Sequence, residues 1–281
     1  MYVQAATVSE ALEFLASGEA AILAGGTDFY PALVDRPLPR RILDISRIAE
    51  LAGFDFMPSE IRIRAGTSWT AIAKAQLPPC FQALKEAARE VGSIQIQNSA
   101  TIAGNICNAS PAADGVPALL ILDAEVEIAS ATGMRRQLLS SFIRGNRRTT
   151  LRRDELVTAI VVPRAIENGR SKFLKLGARR YLVISIVMVA ACIKACDHGR
   201  VSDARIAVGA CSAVAQRLPA LENALIGKQA IRGLADLVEP AHLAPLAPID
   251  DVRATAEYRS DAALHIVRQA IEACMPESAH A

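Results

Sequence analysis

Clustered cysteine is what this 281-residue chain most clearly lacks: its six cysteines stand at 80, 107, 192, 196, 211 and 274, and only Cys192 and Cys196 are close in sequence. A thiolate-held metal or cluster needs several converging cysteines, usually in tight pairs. No metal site is therefore assigned, and any iron–sulfur centre must belong to another chain. The apolar, strand-like surroundings of Cys192 suit a small core residue. Blocks of one charge are also missing, with 31 basic against 29 acidic residues and a formal net charge of +2. That speaks against nucleic acid, whose binding concentrates Lys and Arg on one face. The densest basic stretch, Arg144, Arg147, Arg148, Arg152 and Arg153, reads as a solvated loop unless an acidic partner meets it. The longest apolar run, Val183 to Ile193, is too short to span a bilayer. The start at Met1 and Tyr2 carries neither the basic flank nor the apolar core of a signal peptide, so a cytoplasmic location is expected. No repeat, low-complexity segment or G-x-G-x-x-G fingerprint occurs.

What is present is a globular composition, 52% hydrophobic and 21% charged, long enough for two or three packed units. Thr7 with Glu10 forms a capping box for a helix carrying Val8, Ala11, Leu12 and Leu15. Ala21 to Ala24 reads as a short buried strand. Gly25, Gly26, Thr27 and Asp28 follow as a turn, Asp28 capping a short helix with Pro31 in its first turn. Ile42 to Ile45 and Ile61 to Ala65 are strands, Thr67 or Ser68 caps a helix through Lys74, and Cys80 to Val91 is another helix. Glu125 to Ala129 and Leu156 to Val162 are further strands. The polar segment Pro163 to Arg170 is the linker candidate. Beyond it come strands at Lys172 to Ala178, Ile184 to Cys196 and Ala204 to Cys211, then helical patterns near Leu218 to Leu225, Ile231 to Val238 and Glu257 to Cys274. Strands followed by helices predict an α+β unit, an antiparallel sheet backed by helices.

A diphosphate needs backbone N–H donors with no side chains in the way, which makes a glycine pair after a buried strand informative. Gly25-Gly26-Thr27-Asp28 has that form, although a Gly-Gly pair is more often simply a turn. Thr101-Ile102-Ala103-Gly104-Asn105 again combines a hydroxyl, a glycine and an asparagine. Two such loops can cradle one diphosphate from opposite sides. Asp114 is then a candidate acceptor for a ribose or ribityl hydroxyl, with the N-cap of the helix through Leu120 as its alternative.

Leu23-Ala24-Gly25-Gly26-Thr27-Asp28 and the long stretch from Gly92 to Asp114, including Gln97-Asn98-Ser99-Ala100-Thr101-Ile102-Ala103-Gly104-Asn105 and Asn108-Ala109-Ser110-Pro111, resemble the two flavin loops of the FAD subunits in the xanthine dehydrogenase and carbon monoxide dehydrogenase family. Matches at Asp154-Glu155-Leu156-Val157, Phe173 to Arg180, Asp251-Val252-Arg253 and Glu257-Tyr258-Arg259 extend the resemblance over nearly the whole chain. It implies a two-lobed FAD domain of the p-cresol methylhydroxylase type over residues 1–166, with lobes of roughly 1–50 and 51–166. A C-terminal domain of antiparallel sheet plus helices follows over 167–281.

The resemblance further implies non-covalent FAD, an electron-transfer role without a catalytic acid or base on this chain, and an iron–sulfur subunit and a molybdopterin subunit as partners. It assigns the cofactor to Ile22, Leu23, Ala24, Gly25, Gly26, Thr27, Asp28 and Phe29, to Gly92, Thr101, Ala103, Gly104, Asn105, Asn108 and Asp114, and to the backbone of Leu156 and Val157. Lys175 matches a lysine near the flavin, where a cation favours the anionic reduced ring; an ordinary exposed strand lysine is the alternative. The inserted iron–sulfur loop of the benzoyl-CoA reductase type is absent. A covalent tether has no candidate, since His198, His242, His265 and His280 lie outside both loops and Cys107 reads as a packing residue. The chain departs from the family pattern after Arg179-Arg180, where Tyr181-Leu182-Val183-Ile184 replaces an acidic residue. The resemblance thus leaves the electron acceptor open among NAD, quinone, oxygen and other carriers. A self-sufficient flavin oxidoreductase and a flavin-free structural subunit are the rival readings.

Overall fold

The first helix starts where Thr7 predicts. In the computed structural model, which describes residues 1–34 and 37–276, Thr7 Oγ1 accepts the Glu10 amide at 3.2 Å and opens α1 (Val8–Ala16). The reciprocal half of the capping box is displaced by one residue, because the Glu10 carboxylate accepts from Ala6 N–H at 2.7 Å. Strands β1 (Tyr2–Gln4), β2 (Ala21–Leu23) and β3 (Ile42–Asp44) form a small parallel sheet with β3 in the centre. Residues 27–34 make consecutive turns and no regular helix. Pro31 has no N–H to give, and Val34 ends the run at φ +33°, outside the right-handed region. Asp28 therefore caps no helix.

A second, antiparallel sheet is ordered β4-β5-β10-β6-β7, from β4 (Phe54–Phe56), β5 (Glu60–Arg64), β6 (Glu125–Ser130), β7 (Gly133–Leu138) and β10 (Leu156–Pro163). The intervening hairpin pairs β8 (Ile143–Gly145) with β9 (Arg148–Thr149). Edge strands β4 and β7 are short or polar, and so give no alternation to read. Central β10 slips register between Val157 and Ala159, a bulge that bends the strand beside the cavity described below.

Between β5 and β6 run α2 (Trp69–Lys74), α3 (Gln82–Glu90), α4 (Ile94–Ser99), α5 (Ile102–Asn108) and α6 (Gly115–Leu120), with the one-turn α7 (Leu139–Phe142) after β7. The stretch expected to be a long loop is thus two short capped helices. Ser93 and Thr101 are their N-caps, accepting from Ile96 and Gly104. Ser68, rather than Thr67, caps α2 through the Ala71 amide; Thr67 instead ties down Gly53, donating to its carbonyl and accepting its amide.

The C-terminal sheet is ordered β11-β12-β13-β14, all antiparallel, from β11 (Arg170–Leu176), β12 (Val187–Ala195), β13 (Val201–Gly209) and β14 (Gln216–Arg217). Both faces of β12 are buried. Met188, Ala190 and Cys192 join the core shared with the N-terminal elements, while Val187, Val189, Ala191 and Ile193 face α8 (Pro219–Leu225) and α9 (Ala256–Cys274). That double burial explains the continuous apolar run in the sequence. The pattern at Ile231 to Val238 yields only a 3-10 turn, Leu234–Leu237, entered through Gly233 at φ +90°.

Charged groups are buried in the second sheet only as pairs. Glu155, 1% exposed, takes two bonds of 2.8 Å from Arg135 and one of 2.9 Å from the Arg152 amide. The Arg135 hydrogen bonds hold its carboxyl down to about 2, against an ordinary value of 4.5. A depressed carboxylate stabilises the fold above its unfolded value and loses that contribution as pH falls towards its folded one. We expect Glu155→Gln to cost roughly 2 kcal/mol at pH 7. In urea titrations from pH 7 down to pH 2 the two proteins should converge across the interval between 4.5 and about 2; a gap independent of pH would show that the charge contributes nothing.

Candidate flavin site

A cavity of about 1270 Å³ opens between the parallel sheet, helices α2, α4 and α5, and the segment joining β11 to β12. Most residues singled out in the sequence meet on its wall: Ile22, Ala24, Gly25, Gly26, Thr27, Asp28, Phe29, Gly92, Thr101, Ala103, Gly104, Asn105, Asn108, Asp114, Leu156 and Val157. Two do not. Leu23 is buried behind the wall at 7% exposure, and Lys175 lies behind Asp114.

The two segments touch through backbone. A Cβ on Gly25 would sit 1.9 Å from the Ser99 carbonyl oxygen, so glycine here makes room for the protein's own chain. Gly26 has φ +73°, a left-handed conformation that costs a side chain about 1–2 kcal/mol. At Gly104 a Cβ would meet only Thr101 Oγ1, leaving its Cα face open to the cavity.

The polar groups of the two segments differ in kind. Among the described residues, the backbone N–H groups of Gly25, Gly26, Thr27 and Asp28 donate to no protein acceptor. Those of Ile102, Ala103, Gly104 and Asn105 are all taken, by Thr67 O, Ala65 O, Thr101 Oγ1 and Thr101 O. The open donors are on the first loop, and the second segment faces the cavity with side chains and bare Cα atoms.

Asp114 occupies the N-cap position of α6 but makes no capping bond. Its carboxylate accepts from Lys175 Nζ at 2.9 Å and from Ser185 Oγ at 2.8 Å. Lys175, with 7% of its side chain exposed, also donates to Glu90 O at 3.3 Å. It is neither an exposed strand lysine nor a free cation on the wall. Burial pushes the Asp114 carboxyl up, and the Lys175 charge opposes it.

Several wall residues carry no signal in the sequence pattern. Arg147, read there as part of a solvated cluster, reaches the cavity from the β8–β9 turn. Its backbone is held at φ +58° by a 2.9 Å bond to Ala109 O, and its guanidinium donates to Asn108 Oδ1. Trp69, Val91, Leu151 and the family-divergent Leu182, Val183 and Ile184 also line the wall. Only the fold brings these distant positions together. Cys107 lines it too, its thiol pushed up to about 12 by burial and so kept protonated. The described histidines lie off the wall, and His280 falls outside the described residues. Among the described residues no group of His, Cys, Asp and Glu is placed to hold a metal, and no helix is long and apolar enough to cross a membrane.

Residues 1–165 match the family model for the FAD binding domain in molybdopterin dehydrogenase. The chain belongs to that family. Residues 172–274 match the CO dehydrogenase flavoprotein C-terminal domain. The putative xanthine dehydrogenase FAD-binding subunit of Escherichia coli (strain K12) is 33% identical over 282 aligned positions, 95% of this chain and 91% of that one. The nicotinate dehydrogenase FAD-subunit of Eubacterium barkeri is 36% identical over 184 positions; this covers 64% of the chain but only 62% of that relative. A solved structure of carbon monoxide dehydrogenase from Hydrogenophaga pseudoflava superimposes with a TM-score of 0.85 at 28% identity, over 97% of this chain and 96% of that one. The α+β architecture expected from the resemblance, a two-lobed FAD domain followed by sheet and helices, is that of this molybdopterin dehydrogenase flavoprotein.

The Asp114–Lys175 pair predicts a coupled response. Lys175→Met leaves a buried carboxylate unpaired, which costs about 3–5 kcal/mol. With its pKa raised further, Asp114 favours folding below that value and opposes it as pH rises through it. Denaturant titrations should show the variant's deficit growing from acid to neutral pH. Adding Asp114→Asn should recover most of the loss at pH 7, and strictly additive losses would refute the coupling.

Proposed function

We propose that this chain is the electron-transfer subunit of a molybdenum hydroxylase complex, holding FAD non-covalently between the Gly25–Asp28 loop and helix α5 and receiving electrons from an iron–sulfur partner. In this reading the FAD domain spans 1–166 and the C-terminal domain 167–281. The observation that carries it is that, among the described residues, the four amides at Gly25 to Asp28 have no protein acceptor, on a wall shared with a second segment whose own amides are spent. An anionic diphosphate matches such a donor row, and the open Cα face of Gly104 gives it room. Arg147 adds positive charge at the rim, and Asn108 is fixed by it. When bound, FAD supplies reversible electron uptake that the side chains cannot provide. The chain's own residues bind and orient, and the protonated Cys107 thiol offers no nucleophile for a tether.

Names of relatives support the partners: one is a FAD-subunit of a nicotinate dehydrogenase, another a medium chain of a carbon monoxide dehydrogenase. Six unpaired thiols fit a reducing compartment such as the cytoplasm. Among the described residues, the wall's carboxylates are Asp28 on the glycine loop and Asp114, already paired with Lys175, and the histidines lie elsewhere, a poor acid–base set for a substrate of its own.

Acid precipitation of the purified protein should release its yellow chromophore as FAD; flavin left on the pellet, or FMN in solution, contradicts this. Gly26→Val forces a branched residue to φ +73° with Cβ 3.0 Å from the Tyr30 ring, and should abolish FAD binding in a folded protein. Thr27→Ala removes one hydroxyl, worth about 0.5–1.5 kcal/mol, so its Kd should rise no more than roughly tenfold. Equal retention in both variants removes the loop from the site. Expressed alone, the chain should show no flavin bleaching with purines, aldehydes, N-heterocycles or carbon monoxide. Co-expressed with iron–sulfur and molybdopterin subunits it should purify as a complex that bleaches with its substrate. Bleaching by the metal-free chain alone would replace this reading with a self-sufficient oxidoreductase.

A further inference from the structure

The charges on the cavity wall are few and unevenly matched to an anion. Among the described residues that line it, the charged side chains are Asp28, Asp114 and Arg147. Lys175 neutralises Asp114 from behind the wall. Asp28 stands on the glycine loop itself, so a diphosphate held there meets a carboxylate as well as amides. Amides are neutral dipoles and offset that charge only in part. The one full positive charge on the wall is Arg147.

Within its own basic stretch Arg147 is also distinct. Of Arg144, Arg147, Arg148, Arg152 and Arg153, it alone lines the cavity. Arg152 pairs with Glu155 and Arg153 with Glu19. Arg147 is exposed, and among the described residues its guanidinium uses one N–H, on Asn108 Oδ1, out of the five that a guanidinium carries.

The backbone shows that an arginine is not what the turn itself needs. Arg147 stands at φ +58°, and its amide donates at 2.9 Å to the carbonyl of Ala109, which stands at φ +48°. Two of the six described non-glycine residues with positive φ therefore meet in one contact. Glycine or asparagine takes this conformation at little cost, and either would supply the same amide donor. Strain of this kind clusters at ligand sites. Here it accompanies a side chain that reaches the cavity.

We propose that Arg147 is a cofactor-binding residue whose guanidinium donates to the diphosphate of bound FAD, with Asn108 holding the guanidinium on the wall. A guanidinium fork matches phosphate oxygens with parallel bonds, and the diphosphate is the anionic group of oxidised FAD. This rests on the FAD reading above.

FAD titrations followed by flavin fluorescence, at low and high NaCl, test the proposal. Arg147→Gly removes the cation and suits the backbone. Its FAD Kd should rise roughly ten- to thirtyfold at low salt, and the native rise of Kd with added NaCl should flatten. The flavin-free melting temperature should stay level or rise, because strain has gone. Arg147→Lys keeps the charge without the fork and should fall between the two. Arg148→Ala removes an equal charge off the wall and should bind FAD within about twofold of the native chain. An Arg147→Gly protein that binds FAD within about twofold of native overturns the proposal. A weaker Kd with native salt dependence also overturns it, and assigns the guanidinium to an uncharged part of FAD or, where the flavin-free melting temperature falls as well, to a structural tie between the turn and α5. An equal loss in Arg148→Ala overturns it in favour of a general field of the basic stretch. Should Arg147→Gly fail to fold, Arg147→Asn, which tolerates the same backbone, is read by the same criteria. Native protein that binds no FAD overturns the functional reading and this proposal together; FAD binding indifferent to Arg147 overturns only the proposal.

Discussion

The cavity exists because two backbones approach more closely than a side chain allows. Gly25 lies against the Ser99 carbonyl, where a methyl group would overlap at 1.9 Å. That contact joins the end of the parallel sheet to the end of α4. It brings the Gly25–Asp28 loop and Thr101, the cap of α5, onto the wall of one cavity. A bulkier residue would drive the loop away from α4.

Behind this contact the C-terminal sheet closes the wall. The Asp114–Lys175–Ser185 cluster joins the N-cap of α6 to β11 and to the segment entering β12. Arg259 on α9, 3% exposed, then fixes that segment by donating to Ile186 O at 2.7 Å and to Ala210 O at 3.0 Å. Buried ion pairs contribute little net stability, yet losing one partner is expensive. Here the pair couples the sheet's position to the wall of the site. The apolar residues Leu182 to Ile184 reach the cavity through the same arrangement, with Leu182 held at φ +53° and its carbonyl bonded by Arg179.

Hydrogen-bond accounting separates the two glycine-bearing segments, which look alike as strings. Among the described residues, one finds no acceptor for its amides and the other has spent them on Ala65, Thr67 and Thr101. The first is suited to an anion, and the second presents neutral contacts and the Asn105 amide.

How much was legible in the sequence follows from the range of each interaction. Caps, glycine turns and apolar periodicity act over a few residues, so Thr7, Ser68, the β12 run and α9 could be read directly, as could the segments that line the cavity. Polar edge strands such as β7 and three-residue strands such as β1 and β4 carry no periodic signal, because their partners rather than their own side chains define them. The roles of individual site residues depend on contacts between distant positions. Asp114 meets Lys175 across 61 residues and Arg147 meets Asn108 across 39, and no local pattern encodes either meeting. The sequence by itself determined the capped and periodic elements and the two candidate segments. Tertiary structure decided which amides remain free, which charges are paired, and that Trp69 borders the site, since hydrogen bonding and burial belong to the packed chain and not to its neighbours in sequence.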